Sequence, residues 1–209
     1  MRIAIIGAGN VGSAVAGAAR HAGHEVVISA TSHDKAAKVA AEVGAQATAS
    51  NVAAVEGADI VVLAVPWGAA LAVVDEIAAT VGTRVIVDAT NPLKADYSGL
   101  ATGERSGAEE VQSHAPNAKV VKAFNTVFAS RQGSPIVDGV ALDGFIAGDD
   151  VTAKAQVSDL LTAIGYRVID AGPLAAARSL EQLAFLNISL NAANNWSWQS
   201  GWRLVGPTG

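Results

Sequence analysis

Short apolar runs along the chain alternate with longer segments in which apolar residues recur every three or four positions. The short runs have the length of buried strands, and the longer segments have the period of amphipathic helices. Strands that are apolar on both faces and separated by helices are typical of a parallel sheet covered on both sides. The pattern predicts strands over Arg2–Ile6, Glu25–Ser29 and residues 59–65, 84–90 and 119–124, and helices over residues 11–21, 34–43, 69–80 and 106–115.

The pattern changes after Phe124, where a stretch rich in glycine, proline and aspartate begins, SRQGSPIVDGVALDG. Beyond it we predict strands over residues 145–150 and 166–172, and helices over Val151–Ile164 and residues 174–195. The chain then ends in an aromatic tail, WSWQSGW, and a few further residues. We therefore predict an α/β fold: a doubly wound parallel sheet in residues 1–125, followed by a small C-terminal α+β domain in residues 126–209.

Gly7, Gly9 and Gly12 form a G-x-G-x-x-G turn between the first predicted strand and the first predicted helix. In the Rossmann fold such glycines allow a tight turn, a close approach of a pyrophosphate to the backbone, and close packing of helix on strand. The free N–H groups of the helix N-terminus then favour the phosphates. We expect a dinucleotide to bind here, with its pyrophosphate over Gly9, Asn10 and Val11; a glycine-rich turn in a non-binding domain is the alternative.

The end of the second strand indicates which dinucleotide binds. NAD-binding proteins usually place a carboxylate there, for the ribose 2′-hydroxyl. This chain has the sequence SATSH instead, and the first acidic residue, Asp34, falls inside the next predicted helix. Thr31, Ser32 and Lys35 could accommodate a 2′-phosphate, which favours NADP over NAD. Thr31 or Ser32 could also serve simply as the cap of that helix.

Composition narrows the class of protein. The chain has 209 residues, 51% of them hydrophobic and 16% charged, which is enough for one sizeable core. A net charge of −5 disfavours nucleic acid and anionic membranes as partners. The sequence contains no cysteine, which excludes disulfides and thiolate chemistry, and no histidine–carboxylate spacing suggests a metal site. No targeting segment or long apolar span was recognised, so we expect a cytoplasmic protein.

Four segments, RIAIIGAGNVGSAVA, VVLAVPWGAA, KVVKAFNTVFA and VIDAGPLAAARSLEQL, occur in an order and at a spacing that resembles the F420-dependent NADP oxidoreductase family. The resemblance covers nearly the whole chain. It implies a homodimer that transfers hydride between NADP(H) and the deazaflavin coenzyme F420. It also implies two sets of site residues: for NADP, the glycine turn with Thr31, Ser32, Lys35, Ala64, Pro66 and Trp67; for the deazaflavin, Asn91, Asn125, Val127 and Leu174.

The chain departs from this family pattern at two positions. Ala30-Thr31 stands where members often have Ser-Arg, and Asn125 stands where deazaflavin-using members can have histidine. The KAFNT segment also resembles the cytosolic domain of membrane metalloreductases. The first departure weakens the expected preference for NADP, and the second leaves several electron acceptors open.

Hydride transfer between two bound rings needs positioning rather than acid–base groups, so we expect no catalytic side chain. Two other classes stay open. The first is an NADP-dependent dehydrogenase, imine reductase or ferric reductase, although the only lysine after Lys122 is Lys154, and the last helix has none to act on a carbonyl. The second is a non-catalytic NADP sensor. The segment NISLNAANNWSW of the last helix is interpreted as a dimer contact rather than as part of a ligand site.

Overall fold

The computed structural model describes residues 1–206, so the last three residues of the predicted C-terminal domain lie outside the described part. In chain order the strands are β1 (Arg2–Ile6), β2 (Glu25–Ser29), β3 (Gln46–Ala47), β4 (Ile60–Leu63), β5 (Val85–Asp88), β6 (Lys119–Lys122), β7 (Ile136–Val137), β8 (Val140–Ala141), β9 (Asp143–Gly148) and β10 (Arg167–Asp170). The helices are α1 (Asn10–His21), α2 (His33–Val43), α3 (Asn51–Val55), α4 (Trp67–Val81), α5 (Gly107–His114), α6 (Ala129–Gln132), α7 (Val151–Ile164) and α8 (Ala177–Asn194), with a 3-10 turn at Leu174–Ala176 before α8.

Eight strands form one sheet in the order β10-β9-β6-β5-β4-β1-β2-β3, while β7 and β8 form a separate hairpin. Six of these strands, in the order β6-β5-β4-β1-β2-β3, follow the doubly wound pattern. All pairings among them are parallel. The strand order reverses between β1 and β4. In such sheets, ligands bind at the carboxyl ends of the strands beside this reversal, which places the expected site above β1 and β4.

The sheet has one hydrophobic core on each face because its strands are apolar in both directions. Ile3 and Ile5 of β1 face a core formed with α1, α2 and α7. Ala4 and Ile6 of the same strand face a second core, formed with α3, α4 and α5. This alternation explains why β1 has no polar face in the sequence. It confirms the predicted sheet with helices on both sides.

The main strands and helices of the prediction are confirmed, with ends that differ by a few residues. The pattern missed the short elements β3, α3 and α6 and the hairpin β7–β8, which are too brief to show a period. Beyond Phe124, the strand β9 pairs antiparallel with β6, and β10 pairs parallel with β9. The C-terminal strands therefore extend the central sheet, and the division into two domains at residue 125 stays a prediction.

The carboxylate of Glu109 joins helix α5 to helix α8. Ser106 and Glu109 form a capping box at the start of α5, in which each side chain accepts a hydrogen bond from the other residue's backbone N–H. Arg178 of α8 donates from Nε to the same Glu109 carboxylate over 2.8 Å. The hydrogen bonds from Arg178, helped by those from Ser106, lower the pKa of Glu109 to about 2. The ionised form of Glu109 is therefore favoured in the folded protein.

This lowered pKa makes the contribution of Glu109 to stability depend on pH. Because the pKa is lower in the folded than in the unfolded chain, the stabilisation is complete above the ordinary pKa near 4.5 and is lost as the pH falls toward 2. In urea unfolding, Glu109→Gln should lower the free energy of unfolding at pH 7, and the gap to the wild type should narrow as the pH falls from 4.5. Glu110→Gln is the control, because Glu110 makes one longer contact, 3.6 Å from Arg105. A gap that stays constant down to pH 3 contradicts the prediction.

Candidate functional site

The glycine turn fits against β4 in a way that excludes larger residues at two of its three positions. Gly7 has φ of +115°, and a Cβ on it would lie 2.2 Å from the carbonyl oxygen of Ala64. A Cβ on Gly12 would lie 1.9 Å from the carbonyl oxygen of Gly7. Gly9 differs, since a Cβ there would meet nothing within 4 Å. Gly7 and Gly12 are thus required by packing, whereas Gly9 leaves open space beside the N-terminus of α1.

A first cavity of about 220 Å³ opens beside this turn, between the carboxyl ends of β1, β2 and β4. Its wall is mostly apolar, with a lysine and a threonine on one side. Among the described residues, no aspartate or glutamate lines it. The lining consists of Ile6, Gly7, Ala8, Gly9, Ala30, Thr31, Lys35, Asn51, Ala64, Val65, Pro66, Ala69 and Val73.

Two of the residues predicted for the first cavity do not line it and make other contacts. Ser32 caps α2, with its hydroxyl accepting the N–H of Lys35 at 3.3 Å. Trp67 begins α4 and packs against α5, where a Cβ on Gly107 would lie 3.0 Å from its ring. Asn10 is the exposed first residue of α1. Thr31, Lys35, Ala64 and Pro66 do line the cavity, so the structure brings most of the predicted set together.

A second cavity of about 170 Å³ lies on the other side of the α1 N-terminus. It contains three residues predicted for the second ligand, Asn91, Asn125 and Val127, together with Val11. Leu174, also predicted there, is instead buried in the core beneath α4 and α5. The lining comprises Val11, Ala89, Asn91, Phe124, Asn125, Thr126, Val127, Phe128, Ala129, Ala184, Asn187 and Ile188.

The two asparagines of the second cavity hold each other. Asn91 Nδ2 donates to the backbone oxygen of Asn125 at 2.9 Å, and Asn125 Nδ2 donates to Asn91 Oδ1 at 3.0 Å. Asn125 Nδ2 also donates to the backbone oxygen of Leu180 at 3.1 Å, which joins the loop after β6 to α8. These bonds fix the loops after β5 and β6 relative to each other. The carboxyl-end rim of the sheet is therefore pre-organised.

A fully buried lysine anchors the same rim from below. Lys122, at the end of β6, donates from Nζ to Asp88 at 2.8 Å, to Glu181 at 2.8 Å and to the backbone oxygen of Thr90 at 2.7 Å. All three charged side chains are essentially inaccessible to solvent. The Glu181 carboxylate also accepts the N–H groups of Gly107 and Ala108, so it lies at the positive N-terminus of α5. This cluster of Lys122, Asp88 and Glu181 is called the buried triad below.

The electrostatics of the buried triad favour a charged lysine. Burial alone would lower the pKa of Lys122, but the neighbouring carboxylates of Asp88 and Glu181 together raise it above its ordinary value. Lys122 is therefore favoured as a cation between the two carboxylates, while burial raises the pKa of Glu181 above its ordinary value. Lys122 does not line either cavity. Lys154, the one lysine that follows Lys122 in the sequence, is paired with Asp170 at 2.8 Å.

Several residues at the site carried no signal in the sequence. Asn51 lines the first cavity and accepts a hydrogen bond from the buried Ser29 hydroxyl at 2.8 Å, but it starts a helix too short to be predicted. Asn187, which was placed in a dimer contact, is buried and lines the second cavity. The members of the buried triad lie 34 and 59 positions apart along the chain. No local spacing could have joined them.

The doubly wound sheet, the glycine turn at the end of β1 and the two cavities beside the strand reversal define a dinucleotide-binding α/β class of protein. A family profile described as NADP oxidoreductase, coenzyme F420-dependent, matches residues 2–92. The F420-dependent NADP reductase of Methanothermobacter thermautotrophicus is 33% identical, over 93% of this chain and 90% of that protein. The chain therefore belongs to the family of F420-dependent NADP reductases, which are oxidoreductases.

Two further proteins are similar to this chain. The structure of a protein from Arthrobacter sp. FB24, proposed to be an F420-dependent NADP-reductase, matches with a TM-score of 0.88 at 31% identity, over 98% of this chain and 99% of that one. The metalloreductase STEAP3 of Rattus norvegicus is 34% identical over 48% of this chain, which corresponds to 20% of its own length. Within residues 1–206, no helix is long and apolar enough to cross a membrane.

We predict that the buried triad is required for stability. Lys122→Met keeps most of the side-chain volume but leaves two buried carboxylates without their cation, which should cost about 3–5 kcal/mol of unfolding free energy. Lys119→Met, at the exposed start of the same strand, removes an ion pair to Asp150 of 3.5 Å and should cost less than about 1 kcal/mol. Urea unfolding at pH 7 measures both. Equal losses in the two variants would show that the triad contributes no more than a surface pair.

Proposed function

We propose that the protein transfers hydride directly between NADP(H) in the first cavity and a deazaflavin, coenzyme F420, in the second. The observation that carries this proposal is that the N-terminus of α1 borders both cavities, since Gly9 lines the first and Val11 the second. Two ligands bound there would be neighbours at the carboxyl edge of the sheet. Membership in the F420-dependent NADP reductase family supports both ligands.

The first cavity fits a phosphorylated dinucleotide. The open space beside Gly9 admits a pyrophosphate to the free N–H groups at the start of α1. Lys35 supplies positive charge near the end of β2, and no carboxylate in the described part of the cavity would repel a 2′-phosphate. Thr31 adds a hydroxyl beside it. These features favour NADP over NAD.

The second cavity fits a planar ring system. Its walls combine apolar side chains, such as Val11, Val127 and Ile188, with the paired amides of Asn91 and Asn125. When bound, the nicotinamide and deazaflavin rings would supply the redox chemistry, with hydride passing between them. The chain holds the rings, orients them and excludes water, and no acid–base side chain is assigned to the transfer.

The dehydrogenase and imine reductase alternative needs a general acid near a carbonyl or imine carbon. Of the lysines in the described chain, none lines the second cavity. Lys122 is committed to the buried triad, and Lys154 to Asp170. A non-catalytic sensor is disfavoured for a different reason: it has no use for a second cavity beside the cofactor.

A ferric chelate is the second candidate acceptor, because part of the chain is similar to the metalloreductase STEAP3. The two candidates are separated by an acceptor panel. Wild-type protein with NADPH is mixed with F420, a free flavin, a ferric chelate or a small cyclic imine, and the absorbance of NADPH is followed. Fast reduction of F420 supports the proposal; reduction of the imine alone would replace it with the dehydrogenase alternative.

We also propose a cytoplasmic homodimer, in which residues 126–209 act as a small domain that completes the cleft and carries the dimer contact. Leu186 of α8 is 49% exposed, and Trp196 and Trp198 of the tail are 47% and 45% exposed. Exposed large apolar side chains are typical of subunit contacts. Sedimentation analysis of the purified protein tests the oligomeric state.

We predict that Gly9→Val folds normally but loses NADPH. The new side chain meets no protein atom within 4 Å at its Cβ, yet it occupies the space that a pyrophosphate would need. Binding should weaken by at least about tenfold, or ~1.4 kcal/mol, in isothermal titration. Gly68→Val in the first turn of α4 is the control, because it also has open space and lines neither cavity. Unchanged NADPH affinity in folded Gly9→Val would place the dinucleotide elsewhere.

We predict that Val127→Trp separates the two ligands. Val127 is 5% exposed and lines the second cavity, so a bulky ring there should fill it and leave the first cavity unaltered. Turnover with F420 should fall about 10- to 100-fold, because hydride transfer depends on the distance between the rings. The dissociation constant for NADPH should stay within about twofold of wild type. A parallel loss of NADPH binding would mean that the cavities are not separate sites.

A further inference from the structure

We propose that Gln132 is a positioning residue for the second ligand, through its hold on the turn at residues 124–127. This inference rests on the proposed function, because it assumes that the second cavity receives the electron acceptor. Asn125 and Val127, which line that cavity, both belong to the turn. Gln132 itself is fully buried and lines neither cavity. It would therefore act on the ligand only through the backbone that it holds.

The side chain of Gln132 spans both ends of the turn. Its Nε2 donates to the backbone oxygen of Phe124 at 2.8 Å and to the backbone oxygen of Val127 at 2.9 Å. The turn's own bond is longer, with the N–H of Val127 reaching the Phe124 oxygen at 3.3 Å. One amide group thus uses both of its hydrogens to fix the spacing of the turn.

The turn needs such support because its first residue has an unfavourable backbone. Phe124 has φ of +64°, a conformation that a residue with a Cβ rarely adopts. Its ring is buried and lies edge-on to the ring of Tyr166, with centroids 6.3 Å apart. A glycine would relieve the backbone but would lose this packing. Strained residues of this kind persist only where their surroundings hold them, and they concentrate at functional sites.

Tyr166 fixes the orientation of the Gln132 amide. Its hydroxyl donates to Gln132 Oε1 at 2.6 Å, so the amide oxygen points to Tyr166 and the nitrogen points to the turn. Burial raises the pKa of Tyr166, which keeps the hydroxyl protonated and able to donate. Gln132 and Tyr166 together are called the clamp. With every polar atom of the amide engaged, the clamp has one favoured arrangement.

The clamp controls a surface that only the second ligand would touch. Asn125 reaches across to Asn91 and to the backbone of Leu180, and Val127 forms the adjacent wall. Loss of the clamp would let Phe124 relax toward an ordinary φ and would move these side chains. The first cavity contains no residue of the turn, so NADPH binding should not change. The expected effect is a selective loss at the acceptor.

The test compares Gln132→Met with a matched substitution, Gln112→Met. Gln112 lies in α5, away from the carboxyl ends of the strands. Gln112 Nε2 also donates to two backbone oxygens, those of Ala115 and Ala118, each at 3.0 Å. Gln112→Met therefore removes a similar pair of bonds far from both cavities. Each variant is assayed with NADPH and whichever acceptor the wild type reduces, after unfolding curves establish that it folds. Hydrogen–deuterium exchange is followed in peptides covering residues 121–132 and residues 5–14.

In Gln132→Met we expect kcat/KM for the acceptor to fall about 10- to 100-fold, with the NADPH dissociation constant within about twofold of wild type. Exchange should quicken in residues 121–132 and stay unchanged in residues 5–14. Tyr166→Phe should act in the same direction more weakly. Gln112→Met should leave kcat/KM near wild type.

Two results would overturn the inference. Equal kinetic losses in Gln132→Met and Gln112→Met would show a general effect of destabilisation. Unchanged exchange in residues 121–132 would show that Gln132 does not hold the turn. The exchange measurement needs no acceptor. If the wild type reduces none of the acceptors, the proposed function fails by itself, and exchange still decides whether the clamp exists.

Discussion

The buried cation of Lys122 is the interaction on which the rest of the structure depends. Its three bonds join the ends of β5 and β6 to α8, and through Glu181 they reach the N-terminus of α5. The ammonium group thus links the ends of two neighbouring strands to α8 directly, and to α5 through the Glu181 carboxylate. An isolated charge at such a position would be prohibitively costly. It is tolerated because two carboxylates, a carbonyl and a helix N-terminus satisfy the charges together.

The buried triad also supports the rim of the second cavity. Lys122 binds the backbone of Thr90, one residue before Asn91, and Glu181 follows Leu180, whose carbonyl receives the amide of Asn125. The rim of the second cavity is thus fixed to the triad on two sides. Under the proposed function this rigidity would matter for hydride transfer, because the rate depends on the distance between the two rings. The buried charges serve the site by holding its walls.

The strained turn at Phe124 follows the same logic on a smaller scale. The chain must reverse sharply after β6 so that Asn125 meets Asn91, and a buried aromatic ring at this point prevents the use of glycine. Surrounding hydrogen bonds therefore hold an unfavourable φ. The first cavity is built differently: the tight positions Gly7 and Gly12 do use glycine, because backbone oxygens leave no room for a Cβ. The first cavity is shaped by glycines, which have no side chain, and the second by a network of buried hydrogen bonds.

The local sequence determined the strands of the sheet, the order of the helices and the glycine turn. Period and glycine spacing are properties of neighbouring residues, so β1, α1 and the G-x-G-x-x-G turn could be predicted without any tertiary contact. The absence of a carboxylate directly after β2 is likewise visible in the sequence without any tertiary contact. The family resemblance placed Asn91, Asn125 and Val127 at one site, and they follow β5 and β6, whose carboxyl ends meet at one edge of the parallel sheet.

Only the tertiary structure decided which of these residues share a cavity and what supports them. Trp67 packs against α5 and Leu174 lies in the core. The space that each side chain fills depends on elements that are remote in the sequence. The buried triad and the hydrogen bonds of Gln132 were equally invisible. A lysine or glutamine gives no sign in the sequence of whether it will be exposed or buried. Its partners come from strands and helices that meet only when the chain has folded.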